Sequence, residues 1–201
     1  MKQVFIEEET FDKIDFTQNP LVKGEYEYCK FINCDFSQSD LSDFKFLECE
    51  FIGCNLSLVK LTQTALKGIA FRNCKILGLN FGACNEFGFI VSFDTCVLNH
   101  SSFADIGSAI KKRLKFKQTL FKDSQLHEVD FTGCDLSCAI FDRCDLTKAV
   151  FEGAILEKAD FRTAYNYSID PELNRIKKAK FSQSGIAGLL DKYDIEIDMA
   201  N

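Results

Sequence analysis

The sequence has few of the features that mark catalytic, metal-binding or membrane-spanning proteins. It contains two histidines, His100 and His127, and nothing places either of them beside a nucleophile. A C-x-x-C pair with the spacing of a zinc site is missing, and so is a glycine-rich phosphate loop. No stretch approaches the roughly 20 apolar residues of a membrane-spanning helix, and the N-terminus lacks a long apolar run. We therefore expect a soluble, cytoplasmic, non-enzymatic protein without metal or cofactor.

What the sequence does contain is an internal repeat of five residues, clearest between Cys29 and Leu58. This stretch reads CKFIN, CDFSQ, SDLSD, FKFLE, CEFIG and CNLSL. Each unit has a large apolar residue at its centre, and a small residue, most often Cys, usually lies two positions before it. A period of five fits neither the 3.6 residues of a helical turn nor the 2.0 of a strand. The repeat itself must therefore determine the fold.

The meaning of the five-residue step can be tested within the sequence. If each unit forms one side of a square coil, four units complete a turn and residues twenty positions apart stack. The five-residue spacing is interrupted twice, by two extra residues across Cys84–Val91 and by eight across Ile106–Arg113. We call these two interruptions frame slips. With both slips allowed to leave as loops, one of the four columns contains only phenylalanine: Phe11, Phe31, Phe51, Phe71, Phe93, Phe121, Phe141, Phe161 and Phe181. A pure column that survives both slips predicts a core of stacked aromatic rings.

The ten cysteines follow the same frame. All of them except Cys138 lie in the small-residue position of a unit, where Ala, Ser, Thr and Val also occur. Cysteine in this pattern behaves as a small buried apolar residue. We therefore predict reduced structural thiols and no disulfide framework.

This pattern, with cores such as CDF, SDL, CNL, VDF, CDL and ADF, resembles the pentapeptide-repeat family over about residues 9 to 181. The resemblance implies an all-β fold, a right-handed quadrilateral (four-sided) parallel β-helix. We accordingly predict a β-helix over residues 1–181, with loops near 84–91 and 106–113. A short C-terminal capping or dimerisation helix and a tail follow over residues 182–201.

The segment after Phe181 also predicts self-association. Ser182 or Ser184 could cap a short helix in which the apolar residues recur at helical spacing. These residues are Ile186, Leu189, Leu190 and Tyr193. A β-helix leaves an open edge at its last coil, and one short helix cannot bury all of these side chains beneath it. We therefore expect a homodimer through the C-terminal end, the alternative being a monomer whose helix merely caps the core.

The two frame slips are the candidate partner-binding loops, because loops on a rigid scaffold often carry function. Both slips lie next to the same column, at Glu86 and just before Phe116, and should project from one side. The candidate contact residues are Phe87, Phe89, Ile90, Ile106, Ile110, Lys111, Lys112 and Arg113. The alternative is that both slips are tolerated insertions without a partner.

The outward-facing positions hold many carboxylates, and the net charge is −6. This pattern fits ordinary solvation, or a negatively charged rod that imitates duplex DNA. The loops, tower and C-terminal helix resemble the quinolone-resistance and topoisomerase-protecting members of the family. That resemblance implies a DNA mimic on type II topoisomerases, DNA gyrase or topoisomerase IV, which it modulates or protects from quinolone-type inhibitors. The alternatives are an interaction scaffold for an unrelated protein partner, and nucleic-acid binding through Lys111–Lys117 and Arg175–Lys180, which the acidity opposes.

Overall fold

The computed structural model describes residues 4–86, 88–104 and 116–198. Within these ranges the chain winds into a right-handed, four-sided parallel β-helix, in which each five-residue unit forms one side of a coil. We name the four faces A, B, C and D, which contain the units centred on Phe11, Phe16, Leu21 and Tyr26, respectively. The fold class predicted from the repeat is confirmed.

Two of the faces contain the regular strands, and all pairings between these strands are parallel. Face D carries the four-stranded sheet β1-β3-β5-β7, and face A carries the seven-stranded sheet β2-β4-β6-β8-β9-β10-β11. The strands are β1 Val4–Glu7, β2 Thr10–Asp12, β3 Gly24–Glu27, β4 Lys30–Ile32, β5 Lys45–Leu47, β6 Glu50–Ile52, β7 Ala65–Lys67, β8 Ile69–Arg72, β9 Val91–Asp94, β10 Leu120–Lys122 and β11 Ile140–Asp142.

Faces B and C consist mainly of tight turns joined by single bridges between coils, and the sequence contains the reason. Their units often have Asp or Asn before the central residue and Ser or Thr after it. Asp35 Oδ1 accepts a hydrogen bond of 2.8 Å from the backbone N–H of Ser37, and Asp130 Oδ1 does the same with Thr132. Such local side-chain bonds favour turns over extended backbone. These carboxylates, expected only to be solvated surface charges, therefore also determine the turns.

The interior is filled by stacked aromatic rings. Successive phenylalanines of the face A column stack, with ring centroids 4.7 to 5.4 Å apart along its length. Rings from the opposite face C, such as Phe131, meet them edge to face at 5.7 Å and 81°. Phe11 and Phe181 are half-buried because nothing stacks beyond either end, and the other seven are buried. The two opposed columns therefore leave no channel between them.

The small-residue position also contains hydrogen bonds that its apolar interpretation did not predict. The thiol of Cys54 donates to the carbonyl oxygen of Phe31 at 3.2 Å, and Cys74 contacts Phe51 in the same way at 3.3 Å. Thr64 Oγ1 makes the equivalent bond to Leu41 at 2.7 Å. A small side chain with a donor thus bonds to the coil beneath it, which explains why Cys, Ser and Thr recur at this position.

The corners of the coils require left-handed backbone. The second residue after most central residues has a positive φ, and 22 of the described residues with positive φ are not glycine. Asn and Asp tolerate this conformation, whereas β-branched residues are strained in it. Thr95, with φ of 58°, is the β-branched example, and Asn73 occupies the equivalent corner of the coil below.

We expect Thr95→Asn to stabilise the protein by about 1 kcal/mol, since the strain at a left-handed residue is of this order. Denaturant unfolding of the variant and the wild type measures the difference. The reverse exchange, Asn73→Thr, is the matched control and should destabilise by a similar amount. Equal stabilities for all three proteins would show that the corner residues carry no strain.

The C-terminal segment does not form the regular helix that its apolar spacing predicted. The segment forms two 3₁₀ turns, Ile186–Leu189 and Asp191–Tyr193. Glycines at 185 and 188 disfavour a regular α-helix, and the carbonyl of Gly188 accepts a hydrogen bond of 2.8 Å from Ile169 N–H. The backbone there lies flat against Tyr167, where a Cβ on Gly188 would collide with the Tyr167 carbonyl oxygen. The segment therefore continues the end of the tower.

Candidate interaction surface

The first frame slip is partly absorbed into the core, which corrects two expectations. Phe89 was predicted in a partner-binding loop, but it is buried, and its ring meets Phe116 at 5.1 Å. Glu86, which the frame placed at a central position, is exposed. Phe89, three positions after Glu86, instead fills the central position between Leu66 and Phe116, because an aromatic ring gains far more from burial than a carboxylate.

The exposed part of the first slip is small. Ile90 follows Phe89 and is 61% exposed on face D, where its N–H donates to the carbonyl of Leu66. The remaining predicted loop residues lie outside the described residues. These are Phe87, Ile106, Ile110, Lys111, Lys112 and Arg113. Ile90 is thus the member of the predicted loop set that stays on the described surface.

The C-terminal end leaves apolar surface uncovered. Ile186 is 47% exposed and Tyr193 is 51% exposed, while Leu189 and Leu190 are half-buried. Leu189 packs against the core, and Tyr193 donates its hydroxyl to Glu172 at 3.2 Å. Ile195 and Ile197 extend the same end and are also exposed. The four predicted residues therefore divide into a half-buried pair and an exposed pair.

Face C is acidic near both ends, whereas its three middle coils, centred on Leu61, Phe81 and Phe103, have no described carboxylate. Its outward carboxylates are Asp40, Asp43, Asp130, Glu152, Asp170 and Glu172, of which Asp43 pairs with Lys23, and Asp170 and Glu172 pair with Lys192. Hydrogen bonds from Ser42 lower the pKa of Asp40, and a hydrogen bond from Lys192 lowers the pKa of Asp170. Both groups are consequently ionised at neutral pH, and their local bonds hold the charges in place.

Face D divides into two halves of opposite charge. Its N-terminal half carries two lysines, Lys45 and Lys67, and a larger number of carboxylates: Glu7, Glu8, Glu25, Glu27 and Glu48. Lys45 pairs with Glu25 at 3.2 Å. Its C-terminal half carries the cations Lys117, Lys158, Arg175, Lys177 and Lys178. Arg175 pairs with Glu157 at 2.6 Å and Lys117 pairs with Asp135 at 3.3 Å. Lys158, Lys177 and Lys178 make no salt bridge with any described residue, so this half is distinctly basic.

Face A, by contrast, is balanced by ion pairs between coils. Lys122 lies 3.0 Å from Asp94, and Arg143 contacts Asp123 through two nitrogens at 2.6 and 2.8 Å. Arg72 contacts Glu50 at 2.9 Å. Exposed pairs of this kind contribute little to stability individually. Because acidic and basic side chains alternate between its coils, face A has almost no net charge.

One carboxylate of face A makes stability depend on pH. Hydrogen bonds from Arg162 hold the pKa of Asp160 at about 2, below the value near 3.9 of an unfolded chain. Because this carboxyl group has a lower pKa in the folded protein than in the unfolded chain, its ionised form stabilises the fold at pH values above the unfolded pKa. The stabilisation is lost as the pH falls through the pKa of the folded protein.

We therefore expect the melting temperature to fall between about pH 4 and pH 2, and Asp160→Asn to flatten that dependence. Thermal melts across this pH range test the expectation. Glu9→Gln is the control, because the Glu9 side chain makes no hydrogen bond or ion pair with a described residue. A pH dependence in Asp160→Asn as steep as in the wild type would contradict the assignment.

The described residues contain no grouping of three or more His, Cys, Asp and Glu side chains that could bind a metal ion. His127 Nε2 lies 2.9 Å from Asp145 Oδ2, and Asp145 also accepts hydrogen bonds from Thr147 and Asn166. The histidine is thus part of a surface hydrogen-bond network. Across residues 4–86, 88–104 and 116–198, no helix is long and apolar enough to cross a membrane.

A filled, four-sided tower with distinct charged faces defines a repeat protein whose surface is available for contacts with other molecules. Two models of one family match the sequence, a pentapeptide repeat region over residues 25–103 and eight copies of the pentapeptide repeat over residues 124–162. Together they cover more than half of the chain. The protein belongs to the pentapeptide-repeat family.

Solved structures with this fold are distant in sequence. QnrB1, a plasmid-mediated fluoroquinolone resistance protein, is 17% identical, with 96% of this chain and 100% of that chain covered and a TM-score of 0.45. HetL, from the cyanobacterium Nostoc sp. strain PCC 7120 and involved in heterocyst differentiation regulation, is 13% identical, with coverages of 90% and 87% and a TM-score of 0.39. No curated protein matches the sequence significantly.

Proposed function

We propose that this protein is a non-enzymatic DNA mimic that binds a type II topoisomerase, DNA gyrase or topoisomerase IV, and protects it from quinolone-type inhibitors. The observation that carries the proposal is the acidic surface formed by face C and the adjoining N-terminal half of face D. Neighbouring coils of a β-helix are about 4.8 Å apart, so the carboxylates lie at fixed intervals within each acidic region of a rigid rod. A groove that binds DNA through Lys and Arg would attract such an array.

The local hydrogen bonds support this role, because they order the charges before binding. Asp40 accepts a bond of 2.9 Å from the N–H of Ser42, and Asp130 one of 2.8 Å from Thr132. Side chains ordered in advance lose less conformational entropy when a partner binds. The carboxylates therefore stabilise both the turns and the proposed complex.

The test is a gyrase supercoiling assay with and without a fluoroquinolone. We expect the wild-type protein to inhibit or protect the enzyme at ratios up to stoichiometric. Asp40→Asn/Asp130→Asn/Glu152→Gln should lose this effect, since it removes face C charges while Asn can still accept the turn hydrogen bonds.

The matched control is Asp12→Asn/Glu50→Gln/Asp94→Asn, which removes the same charge from face A. Equal losses in both variants would assign the effect to net charge instead of face C. Wild-type protein without any effect would contradict the proposal. The alternative is then an interaction scaffold for another protein, favoured by the exposure of Ile90 and tested by pull-down with Ile90→Asp.

We further propose that two towers associate through their C-terminal ends, which would double the length of the rod. The exposed side chains of Ile186 and Tyr193 support this arrangement. Light scattering should show a dimer for the full chain and a monomer for Ile186→Asp. Val22→Asp, at an equally exposed apolar residue of the opposite end, should leave the dimer intact. A full-length mass of 22.8 kDa at micromolar concentration would contradict this association.

A further inference from the structure

Face D has opposite charges at positions that are symmetric about its middle coil. The backbone hydrogen bonds place Ile90 directly above the Leu66 unit, with the units of Phe116, Leu136, Leu156 and Ile176 following upward. Strands β1, β3, β5 and β7 lie below in order. Ile90 is therefore in the coil that has four coils of face D on each side.

The carboxylates and the cations lie at equal distances from this middle coil. Glu7 and Glu8 are in the fourth coil below it, and Glu25 and Glu27 are in the third. Lys158 is in the third coil above it, and Lys177 is in the fourth. A two-fold axis through the Ile90 coil, perpendicular to the tower and parallel to the face, would place Glu7 and Glu8 against the Lys177 coil of an antiparallel copy.

The coil interval sets the register of the two copies. Both surfaces have the same interval of about 4.8 Å, so alignment of the outermost coils brings every coil of one copy opposite a coil of the other. Like charges oppose each other at Lys67 and Lys117 and at Glu27 and Glu157. Within each chain Lys117 pairs with Asp135 at 3.3 Å and Glu157 pairs with Arg175 at 2.6 Å. Ile90, 61% exposed, lies on the axis, where interfaces favour an apolar residue over a charged one.

We propose that face D is a self-association surface, on which a second copy of this chain packs antiparallel through the acidic and basic halves. The two-fold symmetry makes the contact closed, so it forms pairs instead of filaments. Topoisomerase binding through the acidic half of face D would compete with this contact, whereas face C and the C-terminal end stay free of it.

The dependence on salt concentration distinguishes association through face D from association through the C-terminal ends. Charge pairing weakens as the Debye length falls from about 30 Å at 0.01 M to about 4 Å near 0.5 M salt, whereas apolar contact does not weaken. We expect the mass of the full-length protein, measured by sedimentation, to be about twice as large in 20 mM as in 500 mM salt. The measurement is made on the Ile186→Asp variant, because a chain that associated through both face D and the C-terminal end would form open-ended assemblies instead of pairs.

A charge exchange tests the geometry directly. Lys158→Glu/Lys177→Glu/Lys178→Glu makes both halves acidic, and Glu7→Lys/Glu8→Lys/Glu27→Lys makes both halves basic. Each variant alone should lose the salt-sensitive doubling, and an equimolar mixture of the two should recover it. Recovery in the mixture also demonstrates that both variants are folded.

The matched control is Lys13→Glu/Lys60→Glu/Lys75→Glu, which makes the same change in net charge on faces A, B and C. This variant should retain the doubling. The proposal is overturned if the mass of the protein with an unchanged face D does not depend on salt. It is also overturned if the mass of either charge-exchange variant alone still doubles in low salt, or if the mass of their mixture does not.

Discussion

Phe141→Ala is expected to lower the free energy of unfolding by about 3–5 kcal/mol, the range measured for buried aromatic residues. The Phe141 ring is fully buried and stacks on Phe121 at 4.9 Å and on Phe161 at 4.7 Å. It also meets Phe131 edge to face at 5.9 Å. Truncation would therefore remove its burial and interrupt a continuous stack, leaving a cavity that the rigid coils cannot close.

Two companion variants separate these contributions in denaturant unfolding. Phe141→Leu keeps most of the volume and should cost clearly less than Phe141→Ala. Phe181→Ala removes a half-buried ring at the end of the same column and should also cost less. A decrease in the free energy of unfolding of less than about 1 kcal/mol for Phe141→Ala would mean that the stacked rings contribute little to the stability of the core.

The second large effect concerns the cysteines. Nine of the ten are buried, and Cys138 is partly exposed. Burial raises the pKa of Cys49 and Cys144 to about 12, so their thiolate populations at neutral pH are very small. We expect a thiol reagent to modify about one cysteine per native chain and ten after denaturation without reductant.

Cys138→Ser is the control, and it should abolish the fast reaction of the native protein while leaving nine thiols after denaturation. Rapid modification of several native thiols would show that the coils open readily. A denatured count far below ten would reveal disulfides and would contradict the prediction of reduced thiols.

The sequence predicted the fold well because each unit is short, local and of constant length. Once twenty residues make one coil, the stacking of Phe31 on Phe51 follows from counting. The difference between turn units and strand units was not predicted, although Asp or Asn before the central residue and Ser or Thr after it marks many of the turn units. The C-terminal segment was predicted less well, because helical spacing alone did not include the cost of Gly185 and Gly188.

What the sequence alone determined is the period, the four faces and the all-phenylalanine column, since these follow from spacing along one chain. What the tertiary structure decided is how the frame continues across the first slip. Phe89 takes the central position in place of Glu86 because the column between Leu66 and Phe116 has room for one ring, which spacing cannot reveal. Because Phe89 takes this position, Ile90 points outward in the middle coil of face D. The acidic and basic halves of the face lie on either side of that coil. This arrangement depends on packing between residues far apart in the chain, so only the folded tower contains it.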